Sequence, residues 1–553
     1  MSTRGPSSSQ SPYLVPLVGR VEFTSLLSAG EAADTKAGPV ALVGDPWRLV
    51  GKTDGLGYFD NGDGSFTLLA NHELSAAQGV EREHGETGAF VSKLTIDKTT
   101  LEVVAAEDLV KSVWFYDRDA NTYTPTPYLG TSQFDRFCSA DLAPVSAFFN
   151  VDSGLGTQER IYLTGEESGP EGRAFAHVVT GAEAGQSFEL PWLGRARFEN
   201  LVTNPATGDK TVVIGTDDAT PGEVYVYVGD KQAVGSTIER AGLTGGSLYG
   251  IAASFGDTTK ATPGAGTFQL IAQGVAGDAS HTTGTALQAG SGPLTQFVRP
   301  EDGAWDPSDP NRFYFATTGG NLGTDAVPTR LWALTFTDVT RPDLGGTLKV
   351  VVEGHVAGSL NANAPVMLDN LTVTESGLVL LQEDPGGSSR TAKIWLYDPS
   401  ADHDNIGGTS GLKLIAEHDP DRFDNPGALV PGVGVAFGTG EESSGIVDAT
   451  ALFGANHLTF LLDSMVSYAD PDGEIVGGGQ LMALTVGLRR AADNRFKGDD
   501  GKDVYDGGFG NDRLKGASGN DKLLGNYGDD TLIARPQQRQ ALWRPGRRPT
   551  RRR

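Results

Sequence analysis

An all-β fold is predicted for this 553-residue chain: a β-propeller followed by a short parallel β-roll. Three features predict it. Short β-prone runs alternate with Gly, Pro, Asp and Asn through most of the chain. Long stretches with a helical period are few. Near the C-terminus, four nine-residue units follow one another in phase.

Residues 1–39 read as a flexible lead-in with one short apolar patch. From residue 40 to 490 come runs such as Phe66–Ala70, Ile161–Thr164, Thr211–Ile214, Val224–Val228, Phe313–Ala316, Leu331–Phe336, Leu378–Leu381 and Ile394–Tyr397. Each is bounded by turn residues, as strands are. So many short strands suit a propeller or a large sandwich. The recurring Asp-Pro turns after strands, at Trp305-Asp306-Pro307 and Tyr397-Asp398-Pro399, favour the propeller.

Residues 491–533 contain the nonapeptides beginning at Gly498, Gly507, Gly516 and Gly525. Their glycines allow tight turns, and their aspartates, with turn carbonyls, supply the oxygens that Ca²⁺ takes. Asp503, Asp512, Asp521 and Asp530 are the candidate ligands. The apolar residue two places after each Gly-x-Asp is expected inside the roll. This pattern resembles the RTX calcium-binding repeat. The resemblance implies export by a type I route, which needs no N-terminal signal peptide. It therefore reconciles the polar start Met1–Gln10 with an extracellular destination. Residues 534–553 hold eight arginines and no acid. A reading-frame shift within a longer repeat array is the preferred reading of this tail, ahead of a basic segment for anionic surfaces.

The formal charge of −26 argues against nucleic-acid binding, because phosphate neutralisation needs a basic surface. It suits a protein that binds hard cations through carboxylates. No stretch is long and apolar enough to span a membrane. The single cysteine excludes an internal disulfide.

That cysteine, Cys138, lies in Gln133-Phe-Asp-Arg136-Phe-Cys138-Ser-Ala-Asp141. The bland reading is a small buried hydrophobe. Its company argues otherwise. Five stretches place an acidic knot after β-prone residues: Asn71-His72-Glu73, Gly165-Glu166-Glu167, Phe198-Glu199-Asn200, Arg299-Pro300-Glu301-Asp302, and Asp369-Asn370 followed by Gln382-Glu383-Asp384. A single knot is ordinarily a solvated turn. Gathered at one end of a propeller axis, such carboxylates repel by several kcal/mol unless cations intervene. The eight histidines form no ligand pattern, and His72 is expected behind the ligands at most.

On these stretches, residues 40 to 485 resemble a PhoX-type alkaline phosphatase. The resemblance implies a six-bladed propeller with an iron–calcium active site. It gives Cys138 the role of an iron ligand, and Glu199 and Glu301 that of bridges between Fe³⁺ and Ca²⁺. Glu73, Glu166, Glu167, Asp369 and Glu383 are the further calcium candidates, with Glu166 and Glu167 left as alternatives. Two departures stand out. The family's cysteine loop is often Asn-Cys-Ala-Gly-Gly-like, and its usual histidine before the bridging glutamate is Phe198 here.

Thiolate with carboxylate suits iron, and carboxylate with carbonyl suits calcium. Arg136, two residues before Cys138, has the planar fork to clamp a phosphate oxygen; a surface ion pair is its plain alternative. The expected activity is extracellular hydrolysis of small phosphate monoesters at alkaline pH by a monomer. The alternatives are a non-catalytic, calcium-stabilised propeller that binds a surface or matrix, and a phytase- or phosphodiesterase-like hydrolase on the same fold.

Overall fold

A computed structural model describes residues 2–19, 21–33, 47–127, 130–255, 265–274, 294–322, 325–357, 363–400, 411–431, 433–454, 457–468, 473–487, 495–498, 501, 504–506, 513–516, 518, 522–524, 531–533 and 541–542. The chain forms two compact units. One comprises Met1–Leu452 with Phe460–Leu484, and the other Phe453–Thr459 with Thr485–Arg553.

The first unit is built from antiparallel meanders. The simplest is Thr53–Asp60, Ser65–His72, Phe90–Asp97 and Val103–Asp108. A second runs Phe137–Asp141, Ile161–Glu166, Ala174–Val178 and Gln186–Glu189, extended by Ser112–Asp117 and Thr122–Thr124. Two more begin at Phe198–Thr203 and Pro300–Trp305. They fuse into one nine-stranded sheet because the long strand Gly266–Gly274 pairs with Gly346–Glu353. The last two begin at Leu368–Val373 and Ile446–Asp448. Seven of the eight runs read from the sequence lie wholly within strands of this unit, and the eighth, Leu378–Leu381, begins one residue before the strand Val379–Glu383.

The first strand of each meander is an inner strand. Thr53–Asp60, Phe137–Asp141, Phe198–Thr203, Pro300–Trp305, Leu368–Val373 and Ile446–Asp448 neighbour one another in that order, and the last returns to the first. The faces of successive meanders pack together. Leu163 and Ala176 meet Leu201 and Val213. Val212 and Val226 meet Phe315 and Trp332. Ala316 and Leu331 meet Leu371 and Leu381. Each fully buried Val, Leu or Phe among them contributes about 1.5–3 kcal/mol, so the ring is held from outside by apolar faces. Gly55 shows how close the inner strands run: a Cβ there would lie 2.6 Å from the carbonyl carbon of Ser139.

The expected lead-in is a correction. Thr3–Arg4 and Val21–Ser28 complete the sheet of Gly478–Val486, and Leu14–Pro16 completes that of Leu412–His418. The backbone N–H of Tyr13 donates to Gln480 Oε1 at 2.8 Å, and Gln480 Nε2 donates to Ser28 Oγ at 3.0 Å. A strand whose partners lie some 450 residues away carries no local signal of pairing. Residues 34–46, within the same expected lead-in, lie outside the described residues.

In the second unit, strands repeat in parallel with an offset of two nonapeptides. Arg495–Lys497 pairs with Arg513–Lys515, that strand with Thr531–Ile533, and Val504–Asp506 with Lys522–Leu524. Leu514 and Leu523 are buried, as the inward apolar position requires. Asp503, Asp512, Asp521 and Asp530 lie outside the described residues, as does most of the basic tail.

Candidate metal centre

Five inner strands carry the same irregularity. Opposite one residue of its partner, each inserts two: Asp54-Gly55 against Asn71, Cys138-Ser139 against Gly165, Glu199-Asn200 against Thr216, Glu301-Asp302 against Ala316, and Asp369-Asn370 against Gln382. A bulge of this kind breaks the alternation of side chains and re-aims them. Here its first residue is a carboxylate or the thiol in every case.

The bulged residues converge. Ligand atoms of Asp54, Cys138 and Glu199 lie within 4.8 Å of one another, as do those of Glu199, Glu301 and Asp369. A third group joins Cys138 to Glu73 and Glu167 under the same limit. Polar partners fix the arrangement. The Cys138 thiol donates to Asp54 Oδ2 at 2.9 Å. Ser139 Oγ donates to Glu199 at 2.7 Å, and Asn370 Nδ2 donates to Ser139 Oγ at 2.7 Å and to Asp54 Oδ1 at 3.0 Å. Asn71 Nδ2 donates to the carbonyl of Cys138 at 2.7 Å.

The second strands supply an outer set by register. The residue paired with the position before each bulge is His72, Glu166, Asp217, Thr317 or Glu383. The next residue in each chain is Glu73, Glu167, Asp218, Thr318 or Asp384. These next residues turn to the ring. Glu73 and Glu167 flank Cys138, Thr318 Oγ1 donates to Glu301, and Asp218 accepts from Arg299 at 2.8 and 2.9 Å.

Three of the paired residues are engaged within the meander. Glu166 accepts from Arg173 Nε at 2.7 Å and Nη2 at 2.6 Å, and from the backbone N–H of Asp135 at 3.1 Å. Glu383 accepts from Arg390 Nε and Nη2, both at 2.7 Å, and from Trp395 Nε1 at 2.9 Å. His72 bonds the Gly51 carbonyl and Ser92 Oγ and stacks on Phe90; burial lowers its pKa to about 3. The structure therefore gathers Glu73, Cys138, Glu167, Glu199, Glu301 and Asp369, and places Glu166 and Glu383 in ion pairs outside those groups.

Electrostatics disfavour this ring without cations. Burial pushes Asp54 up to about 7, and burial with neighbouring carboxylates raises Glu199, Glu301 and Asp369 well above the carboxylate range. Burial raises the Cys138 thiol, and Asp54 and Glu199 raise it further. Among the described residues, Asn71 Oδ1, Asn370 Oδ1 and Glu301 Oε2 are buried acceptors without a hydrogen-bond partner. Orphaned oxygens facing clustered carboxylates and one sulfur are what a bound cation satisfies. The donor set thus fits a thiolate-preferring ion beside oxygen-preferring ones.

Arginines rim the ring. Arg136 and Arg299 have φ of +49° and +56°, a left-handed backbone that costs a side-chain-bearing residue about 1–2 kcal/mol. Lys52 and Met367, at the same place before their bulges, have φ of +53° and +50°. Arg136 donates to Glu73 and, at 2.5 Å, to Glu167. Arg299 spans Asp218 and Glu301. Beside Arg136 opens a cleft of about 630 Å³.

Asp54, Asp218, Asp384 and Glu442 were not singled out as ligands by sequence reasoning. Asp54 stands as a lone acid before Gly55, and Asp384 beside the more conspicuous Glu383. Burial raises Glu442 well above its usual range, with Asp384 and Asp369 as neighbouring charges.

Residues 182–424 match the family described as alkaline phosphatase PhoX. Residues 490–514 and 506–535 match the RTX calcium-binding nonapeptide repeat. The structure of Pseudomonas fluorescens PhoX in complex with vanadate, a transition state analogue, aligns at TM-score 0.54 and 14% identity, over 86% of this chain and 97% of that one. At that identity the likeness is one of fold. A Xanthomonas campestris gluconolactonase aligns at TM-score 0.32 and 10% identity, over 83% of this chain and 98% of that one. No curated protein matches the sequence.

Proposed function

We propose that this chain, whose residues 182–424 match the alkaline phosphatase PhoX family and whose C-terminal repeats match the RTX calcium-binding nonapeptide, hydrolyses phosphate monoesters at an iron–calcium cluster held by the bulged ring. The observation that carries this reading is the convergence of five bulges on two groups that share Glu199, one with Asp54 and Cys138 and one with Glu301 and Asp369. Register shifts occur in outer strand pairs too, but these five lie in neighbouring inner strands and each is led by an ionisable residue, which aims a ligand set at one place.

In this reading Cys138 would hold iron with Asp54, Glu199 and the flanking Glu73 and Glu167, and Glu199, Glu301 and Asp369 would hold calcium. Cations held there would supply charge neutralisation for a phosphate ester and activation of water. The chain's own residues do the rest. Asn71, Ser139 and Asn370 fix the ligand side chains. Arg136 and Arg299 present planar donor forks to the phosphoryl oxygens. In the overall reaction water forms a new P–O bond, the ester P–O bond breaks, and the leaving alcohol takes a proton. Six blades are supported by the closed order of inner strands. The repeats support an extracellular location reached by type I export, where calcium is plentiful.

The test is elemental analysis of protein purified with calcium and without chelator, beside a phosphomonoester assay on the same sample. Iron together with calcium, and hydrolysis proportional to iron, is the expected result. Calcium alone with no hydrolysis would make the ring structural and the protein a binding propeller. Release of phosphate from diesters or phytate in preference to monoesters would move the substrate class.

A further inference from the structure

Resting on the phosphatase reading, we propose that Arg197 is a specificity-determining residue that binds a second anionic group, phosphate or carboxylate, on the leaving-group side of the ester. Three consecutive inner strands carry an arginine two residues before the bulge: Arg136 before Cys138, Arg197 before Glu199, and Arg299 before Glu301. Their employment differs. Arg136 is clamped between Glu73 and Glu167, and Arg299 between Asp218 and Glu301. The backbone N–H of Arg197 donates to Asp217 Oδ1 at 3.1 Å, but its guanidinium makes only a 3.3 Å bond from Nη1 to the carbonyl of Asp218, and among the described residues no carboxylate pairs with that guanidinium.

A guanidinium offers five N–H donors in a rigid fork. Arg197 therefore brings an uncompensated charge and unused donors to the wall of the cleft beside Arg136. Its guanidinium bonds no carboxylate of the ring, and it lines the cleft together with Arg136 and Glu167. The cleft is otherwise hydrophilic. Its only apolar lining side chains are Ala76 and Ala77, while Asp135, Arg136, Glu167 and Arg197 supply the charge. An aromatic or alkyl leaving group finds no apolar wall to bury against. A leaving group with its own anionic oxygens finds a planar, bidentate donor.

A matched series isolates this subsite: propyl phosphate, 3-(phosphonooxy)propanoate and propane-1,3-diyl bisphosphate, whose leaving groups are neutral, carboxylate-bearing and phosphate-bearing. The wild type is expected to prefer the two anionic leaving groups in kcat/KM. Arg197→Gln is expected to lower that preference at least tenfold, and Arg197→Lys to keep part of it, since a lone ammonium retains charge without the fork. Raising salt from 0.1 M to about 1 M, which shortens the screening length from about 10 to 3 Å, is expected to weaken the preference in the wild type even if a variant fails to fold. A preference that Arg197→Gln leaves within twofold, or a wild type that hydrolyses all three equally, overturns the Arg197 assignment and leaves the phosphatase reading standing. Hydrolysis of none of the three by iron- and calcium-loaded wild type overturns the phosphatase reading itself.

Discussion

In the C-terminal repeats each candidate calcium ligand stands nine residues after the last, and strands pair at an offset of two repeats. Around Cys138 the hydrogen-bonded neighbours come from 84 residues upstream at Asp54, and Ser139 meets Asn370 across 231. The first arrangement writes its ligands into a local period. The second writes only the strand ends and leaves a bulge to aim the side chains. The repeats are therefore expected to depend on a cation for their fold, whereas the ring is held by apolar faces packed outside it.

This contrast breaks most visibly at the thiol. Cys138→Ala is expected to lower kcat/KM on a phosphomonoester by about a thousandfold or more, equivalent to about 4 kcal/mol, while far-UV circular dichroism stays native. Wild-type activity in that variant would remove Cys138 from the site. Adjacent glutamates sharpen the contrast within one strand. Glu166→Gln leaves buried Arg173 short of its counter-charge and is expected to cost about 3–5 kcal/mol in denaturant unfolding. Glu167→Gln removes one of several clustered carboxylates. It is expected to lower metal content and activity with little loss of stability; the reverse pattern would exchange the two roles.

Calcium withdrawal separates the two units. Titrating chelator into the purified protein is expected to remove the parallel-strand signal of the repeats before the main unfolding transition, since calcium at a hundred times its Kd contributes about 2.7 kcal/mol. A single transition at all calcium concentrations would contradict that separation. The smallest effect lies inside a blade. His418 is buried against Ser464 Oγ at 2.7 Å, and burial lowers its pKa to about 3. The unfolded chain binds this proton near pH 6.5 and the folded chain only near 3, so its contribution is full above 6.5 and is lost as pH falls. His418→Gln should therefore narrow its stability gap to the wild type by about 2 kcal/mol between pH 7.5 and 5. A constant gap across that range would show the histidine protonated equally in both states.

Much of the ring was legible because its ligands announce themselves: Glu73, Glu199, Glu301 and Asp369 each stand where a β-prone run meets polar residues. Asp54 was not, because a single acid before glycine reads as an ordinary turn. Side-chain alternation gives a phase only once the register is known, so the step from Glu166 to Glu167, or from Glu383 to Asp384, stays hidden until the bulge opposite is seen. Leu14–Pro16 and Val21–Ser28 were unreadable for a different reason, their partners Leu412–His418 and Gly478–Val486 being some 400 residues or more away.

That last pairing sets a clock. A ribosome adding about 5–20 residues per second needs roughly 20–90 s between releasing Val21–Ser28 and supplying Gly478–Val486. Through that interval the earlier strand waits as an open edge, competent to pair with a neighbouring nascent chain. Holding the polypeptide unfolded until its synthesis ends would shorten the wait to the time of folding itself.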